Sequence, residues 1–449
     1  MASPRNPIDR FLEGINTADL ELMLNAFAPD AEVVDDGKSF TGDAIIALCE
    51  HGIIGHQARV KVLDQTVRND GRTQTHIMMD GDFGKEFGIH EPFDLFLVVT
   101  VKGDKIIHLH MGDIDPDKTT MRAVYASVAS PQDPLSSVRI GQRHLPESKE
   151  GWVRVKMQAV GLNFHDIFTL RGMLMHETRY PMILGNEGAG LLEDGTEVAV
   201  YPVMGDPDWK GNETLDPKRH VFGELVQGTL AEYAMIPRRN AVPRPKGLDA
   251  KSASVMGIAW LTAYRMLFTQ AKIRAGQTIL VQGSSGDCKF AGVTTALIQL
   301  GSAAGLRVWA TGRTKAKRDL ARSLGAESTF EPGAKLPHLV DAAFDTSGAS
   351  TISHSLASVK PGGTIVSCGR HSDSASPNIS IDLLHLMVNQ ISLVGVYTGT
   401  REEFVNLLDF VTTSGIKPHI GKVLPLAEAA EGLKEIWQGK TNGKVVVEI

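Results

Sequence analysis

Thr278-Ile279-Leu280-Val281-Gln282-Gly283-Ser284-Ser285-Gly286 is the stretch that decides the fold. Its apolar run reads as a short buried strand, and the glycines that end it free the backbone for a tight turn. Thr294 to Ala304 then predicts a helix, and Arg307 to Thr311 a second strand. Strand, turn, helix and strand in that order aim the free N–H groups of a helix N-terminus at an anion, as in pyrophosphate-binding folds. Gly283, Ser284, Ser285, Gly286, Gly292 and Val293 are the candidate phosphate-side residues.

The second strand ends Ala310-Thr311-Gly312-Arg313-Thr314-Lys315. A site selective for NAD carries a carboxylate here for the ribose hydroxyls. Small residues, hydroxyls and a guanidinium suit a 2′-phosphate instead, which points to NADPH. Thr311, Gly312, Arg313 and, on the next helix, Lys317 are its candidate contacts. Later strands end in small residues at Ser347, Cys368 and Gly369, leaving room for a ligand at the carboxyl edge.

At 449 residues the chain exceeds one ordinary core, so two or three domains are expected. Apolar content of 42% with 22% charged residues excludes a disordered or collagen-like chain. A net charge of -6 without long blocks of one sign argues against nucleic acid or an anionic membrane as partner. No apolar run is long enough to span a bilayer, and Met1 to Pro7 does not open a secretory signal. Three cysteines, Cys49, Cys288 and Cys368, are too few and too scattered for a disulfide framework or a Cys-rich zinc lobe, so a cytoplasmic protein is expected.

Residues 1–112 have a different grammar. Ile8, Phe11, Leu12 and Ile15 form a helical stripe after Pro7, Asp19 reads as the N-cap of a second helix, and β-rich stretches follow at 58–67, 74–79, 93–101 and 105–111. With Phe27-Ala28-Pro29-Asp30-Ala31, the phrase Asp35 to Gly42 and the hairpin from Gly103 to His110, this α+β order resembles the nuclear transport factor 2-like superfamily, in particular its polyketide-cyclase-like members. The resemblance implies a cone whose concave sheet lines a pocket. His108 and His110, read as sharing a strand face with Ile106, would meet Asp35, Asp36 or Asp94 as acid–base pairs. The same fold often serves only for dimerisation. Residues 113–120 read as a linker.

From Met121 onward the chain resembles the medium-chain dehydrogenase/reductase superfamily, in its zinc-free quinone-oxidoreductase and enoyl-reductase branch. The matching phrases include Val160-Gly161-Leu162-Asn163-Phe164-His165-Asp166, Gly185-Asn186-Glu187-Gly188-Ala189-Gly190, Trp260-Leu261-Thr262-Ala263-Tyr264 and Asn442-Gly443-Lys444-Val445-Val446. The expected architecture is multi-domain: the α+β cone, a barrel-like catalytic domain (121–245 and 400–449) and an α/β Rossmann domain with a parallel sheet (246–399). The family implies hydride transfer from NADPH to an activated double bond or a quinone. Its zinc members place three ligands where this chain has Asn163, Asn186 and Ile258, so no metal is expected; a substitute site from His165, Glu187 and His220 would be unprecedented. Asn163 and His165 are then the candidates for hydrogen-bonding the substrate or shuttling a proton, and Thr262 stands where the family puts a hydroxyl near the nicotinamide. Lys444 resembles a family residue of the closing strand.

One departure matters. Between Gly286 and Gly292 the chain carries Asp287-Cys288-Lys289-Phe290-Ala291, a five-residue insertion in the phosphate turn. Either NADPH binds an altered turn, or binding is lost on a retained scaffold. The first reading gives an NADPH-dependent reductase of an enone, quinone or polyketide-like intermediate, expected as a homodimer. The second gives a redox-neutral cyclase or isomerase using either pocket. A third is a binding protein in which neither pocket turns over.

Overall fold

The structure, a computed structural model, describes residues 6–35, 38–83, 92–114, 119–173, 180–283, 291–369 and 380–449. Asp36, Ser284, Ser285, Gly286 and the insertion residues 287–290 lie outside the described residues. The chain divides into two compact units, Met1–Met121 with Gln142–Leu145, and Arg122–Gly141 with Pro146–Ile449. The division departs from the expected linker at 113–120, because a strand, Thr120–Ala126, already begins within it. Residues 246–399, expected as a domain of their own, remain in one unit with their flanks.

In the first unit, Pro7 occupies the first turn of α1 (Pro7–Thr17), where its missing N–H costs nothing, and the Asn6 side chain accepts from the Ile8 N–H. Asp19 caps α2 (Leu20–Leu24) by accepting from Leu22 N at 2.9 Å. After β1 (Phe27–Asp35) and β2 (Lys38–Thr41) come α3 (Asp43–Ala47), β3 (Arg59–Val67), β4 (Thr73–Asp80), β5 (Phe93–Lys102) and β6 (Lys105–Gly112). They form one sheet in the order β2-β1-β6-β5-β4-β3, with only β1 and β6 parallel. Ile8, Phe11 and Ile15 pack with Ile77, Leu97, Ile106 and Leu109 to make its core.

The register corrects the expected acid–base cluster. Val34 pairs with His110 and Asp35 with Met111, so Asp35 lies on the face of buried Met111, opposite His108 and His110. A bulge pairs Val101 with Ile106 and Thr100 with His108, which turns Ile106 to the core and away from the histidines. His108 Nε2 instead lies 3.7 Å from Glu32 Oε2. Asp94 does meet a histidine, but it is His76, at 2.8 Å.

Two large sheets dominate the second unit, beside a three-stranded and a two-stranded one. The first large sheet contains β7 (Trp152–Leu162), β8 (Ala189–Leu191), β9 (Glu197–Val200), β10 (Tyr233–Pro237) and β11 (Ala241–Pro243); α4 (Phe164–Arg171) follows β7. Next come β12 (Thr278–Gln282), α5 (Ala291–Ala303), β13 (Arg307–Thr311), α6 (Lys315–Ser323), β14 (Ser328–Phe330), β15 (Val340–Asp345), β16 (Val359–Ser367) and β17 (Ser392–Gly395). These six strands are all parallel, in the order β14-β13-β12-β15-β16-β17, the Rossmann arrangement. β12 is buried at every position, as a strand covered on both faces must be. The chain then returns to the first sheet through β18 (Ile420–Pro425) and β19 (Lys444–Glu448), giving β11-β9-β8-β7-β19-β18 with β10 also on β7. This path of pairings is open at both ends among the described residues. Among those residues, no helix is long and apolar enough to cross a membrane.

The opposed faces of the first sheet make a direct test. Leu97→Ala removes a fully buried side chain and should cost about 2–5 kcal/mol in urea unfolding, whereas His110→Ala on the outer face should stay within about 0.5 kcal/mol.

Candidate active site

Strand order reverses between β12 and β15, the point at which open parallel sheets bind ligands. Gly283 ends β12 with φ of +90°, a conformation that favours glycine. Beneath this edge lies a buried polar network that the sequence did not disclose. Gln282 Nε2 bonds His354 Nδ1 at 2.7 Å and Ser355 Oγ at 3.3 Å, and Ser355 Oγ donates to Asp345 Oδ2 at 2.8 Å. Asp345 Oδ1 accepts from Ser347 N, Gly348 N and Thr351 Oγ1. Thr346 Oγ1 donates to the Gln282 carbonyl at 3.0 Å. Each strand end is thereby tied to its neighbour by satisfied groups.

Several expected cofactor contacts belong to this scaffold. The Thr311 hydroxyl, buried, donates to Gln282 Oε1 at 2.8 Å and is committed beneath the edge. A Cβ at Gly369 would sit 2.1 Å from the Thr346 carbonyl oxygen, so this glycine is demanded by the close approach of two strand ends. Val293 packs in the core, and the Ser347 N–H is held by Asp345. Cys368 is half-buried, while Gly312 is buried and donates its N–H to Phe330 O. Arg313 is exposed just past β13, and Lys317 Nζ donates to Thr441 O at 3.1 Å beside a cleft also lined by Gly283, Ala291 and Thr294.

Lys444 is the centre of the second constellation. Its Nζ donates to Leu162 O at 2.7 Å, Asn163 Oδ1 at 2.6 Å and Glu187 Oε1 at 2.8 Å, which uses all three ammonium protons. Lys444 and Glu187 side chains are 3% and 0% exposed. Asn163 Nδ2 donates to Glu187 Oε1 at 2.9 Å and to Gly161 O at 3.3 Å, leaving the amide no proton for a substrate. Glu187 Oε2 accepts from Ile258 N at 2.7 Å. The Lys444 stem also lies against α5, since a Cβ at Gly292 would come within 2.7 Å of its Cδ. Lys444, expected as a cofactor contact, and Asn163, expected as a substrate contact, are thus joined to each other.

The same contacts test the metal site. Of the three ligand places, Ile258 offers only backbone, already bonded, and the Asn163 oxygen is taken by an ammonium. A dication there would meet the Lys444 charge at bonding distance from the same oxygens, so these residues do not fit zinc. Among the described residues, no three His, Cys, Asp or Glu side chains converge as a metal site. Asn186 keeps one open acceptor: its Oδ1 is buried without a partner among the described residues, while Nδ2 donates to Phe222 O at 3.3 Å. The Thr262 hydroxyl donates to Ile258 O at 2.7 Å, one helical turn back.

His165, at the start of α4, is held differently. Its Nε2 lies 2.7 Å from Glu224 Oε1, and the two side chains are 15% and 3% exposed. Glu224 Oε2 accepts from Val221 N at 2.8 Å. Burial pushes the Glu224 carboxyl up, but the His165 hydrogen bond and charge and the Val221 N–H outweigh it, leaving the group below its ordinary value. Neighbouring Asp166 is the opposite case: burial pushes it up despite accepting from Asn163 N and Gly185 N. Arg219 stands over the Tyr397 ring at 5.2 Å, and burial, with Glu224 adding, raises the Tyr397 phenol. Glu224 and Tyr397 were missed from sequence; the carboxylate after the Gly223 turn was the only available signal.

Comparison with known proteins places this unit. Residues 149–246 match the alcohol dehydrogenase GroES-like domain and residues 292–413 the zinc-binding dehydrogenase family. An acryloyl-coenzyme A reductase of Sulfurisphaera tokodaii is 29% identical over 323 residues, 68% of this chain and 94% of the relative. A quinone oxidoreductase of Mus musculus is 28% identical over 324 residues, 68% of this chain and 90% of the relative. A thermostable alcohol dehydrogenase structure from Pyrobaculum aerophilum superposes with a TM-score of 0.65 at 26% identity, covering 74% of this chain and all of that one.

The buried cation gives a stability test. Lys444→Met leaves Glu187 Oε1 and Asn163 Oδ1 without their cation and should cost about 3–5 kcal/mol in denaturant unfolding. Adding Glu187→Gln to it should recover part of that loss, because no buried charge then stands alone.

Proposed function

We propose that this chain, which belongs to the medium-chain dehydrogenase/reductase superfamily in its zinc-independent quinone-oxidoreductase and enoyl-reductase branch, reduces an activated C=C bond with NADPH. The observation that carries the reading is Lys444, on β19 and with its stem against α5 of the Rossmann fold, bonded into the place of a metal. No Lewis acid is available there to polarise an alcohol or ketone. An acceptor whose own carbonyl conjugates with the double bond needs only hydrogen-bond donors as charge develops on oxygen. An enone, a quinone or a polyketide-like intermediate has that chemistry, and the acryloyl-coenzyme A reductase and quinone oxidoreductase relatives support it.

The residues present fit NADPH. Gly283 supplies the turn, α5 presents its N-terminus, and Arg313, exposed beyond β13 where NAD enzymes carry a carboxylate, suits a 2′-phosphate. Ser284, Ser285 and Gly286, outside the described residues, remain candidate phosphate contacts from the sequence, with Lys317 and Gly312 as candidates for the 2′-phosphate side. When bound, the nicotinamide supplies the hydride. His165 is the residue we assign to proton delivery, and Thr262 and Lys444 to positioning. We assign the site to a barrel-like domain formed by 121–245 and 400–449, with 246–399 as the nucleotide domain.

The first unit we assign to the nuclear transport factor 2-like group, supported by its helix–helix–strand opening and its strand order of β2-β1-β6-β5-β4-β3. A cyclase or isomerase centre there loses its support, since Asp35 faces away from His108 and His110. We also propose a homodimer in the cytoplasm. Leu383, Leu384, Met387 and Val388 are 63–71% exposed on a helix next to β17, the free edge of the parallel sheet, and a second copy would cover both.

NADPH should quench or enhance nicotinamide fluorescence with micromolar affinity, and Arg313→Ala should weaken NADPH by about tenfold while leaving NADH unchanged. No saturation by either nucleotide would overturn the reductase reading. Met387→Glu with Leu384→Glu should convert a dimer to a monomer in light scattering; an unchanged mass would remove this face from the interface.

A further inference from the structure

Resting on the reductase reading, we propose that Glu224 is the positioning residue that makes the Nδ1 of His165 the proton donor for the reduced double bond. The geometry carries this. His165 Nε2 is engaged by Glu224 Oε1 at 2.7 Å, and the second carboxylate oxygen is fixed by Val221 N at 2.8 Å, so the carboxylate cannot rotate away. With Nε2–H committed to a carboxylate, the imidazole has its lone pair, or when cationic its transferable proton, on Nδ1. Among the described residues Nδ1 makes no hydrogen bond, while the ring remains partly exposed. A structural histidine at this burial would use both nitrogens.

The surroundings place the pair at the reaction edge. Tyr397 follows β17 at the carboxyl end of the parallel sheet, and its phenol senses the Glu224 charge. Charged or titratable groups around the pair are Asp166 on α4, Arg219 and His220 on the segment leading to Glu224, and Tyr397 beneath Arg219; Lys444 acts on Asp166. The step balances. Hydride from NADPH adds to the β-carbon with two electrons, the C=C π bond opens to an enolate, and the Nδ1 proton passes to the α-carbon. His165 then takes a proton from water. Glu224 keeps its charge throughout and orients the ring, as the third member of a hydrolase triad does.

The test uses the full chain, NADPH and two probes, 2-cyclohexenone and acryloyl-coenzyme A. Glu224→Gln keeps the shape and removes the charge; Glu224→Asp keeps the charge. We expect kcat to fall about tenfold or more in E224Q with KM and NADPH affinity within about twofold, and E224D to recover most of it. The D2O solvent isotope effect on kcat should rise in E224Q, because proton delivery then limits turnover. His165→Gln should lose about 100-fold and make E224Q silent in the double variant. If the wild type turns over either probe and E224Q does so at full rate, or slows with no change in the isotope effect, the positioning role is overturned and the reductase reading stands. A wild type that binds NADPH but consumes it with neither probe overturns the reading itself, and the role of Glu224 with it.

Discussion

The second unit depends on one ammonium. Lys444 Nζ holds a strand-end carbonyl, an amide oxygen and a carboxylate within 2.8 Å, drawn from two separate pieces of chain. Leu162 ends β7, Asn163 opens α4, and Glu187 follows a loop that returns to β8. Glu187 then reaches the helical segment carrying Ile258 and Thr262 through its second oxygen. A charge buried this deeply is tolerable only with every proton placed, and here every proton is placed. The C-terminal strand is therefore tied by ionic bonds as well as by the ladder between β7 and β19.

This saturation determines what chemistry remains. Asn163 spends its oxygen on Lys444 and its nitrogen on Glu187 and Gly161, so it holds the wall of the site. The carboxyl edge of the parallel sheet is similarly committed, with Thr311 and Thr346 donating to Gln282 and Ser355 linking Gln282 to Asp345. Rigid ends on both sides suit a reaction in which hydride donor and acceptor must meet in one geometry. Among the described residues, His165 Nδ1 and the buried Asn186 oxygen are two polar atoms left open beside this wall.

What was legible in the sequence was local. β12 and β13 fall where the residues predict them, because a strand, its glycine and the next helix are read within one window. The helix starts at Ala291, so the last residue of the apparent insertion belongs to α5. The roles of Asn163 and Lys444 were not legible. Their bond joins residues 281 apart, and nothing near either one signals that its polar atoms are used up. The histidines of β6 failed for a smaller reason: one bulge moved Ile106 to the other face, and parallel pairing with β1 set Asp35 opposite them. A period of two is reliable only while no residue is inserted into it.

Two histidine–carboxylate pairs of nearly the same length then separate by their surroundings. His76 and Asp94 meet at 2.8 Å, His165 and Glu224 at 2.7 Å. The first pair is 30% and 56% exposed, so water screens it and such pairs contribute about 0–1 kcal/mol. In the second, the carboxylate is 3% exposed and its other oxygen is anchored to backbone. Screening is weak there, and rotation of either group would leave a buried charge unpaired. Only the second pair can hold a fixed tautomer through a catalytic cycle. Burial, at nearly the same distance, is what favours the proposed role for the pair in the unit that also carries the nucleotide fold.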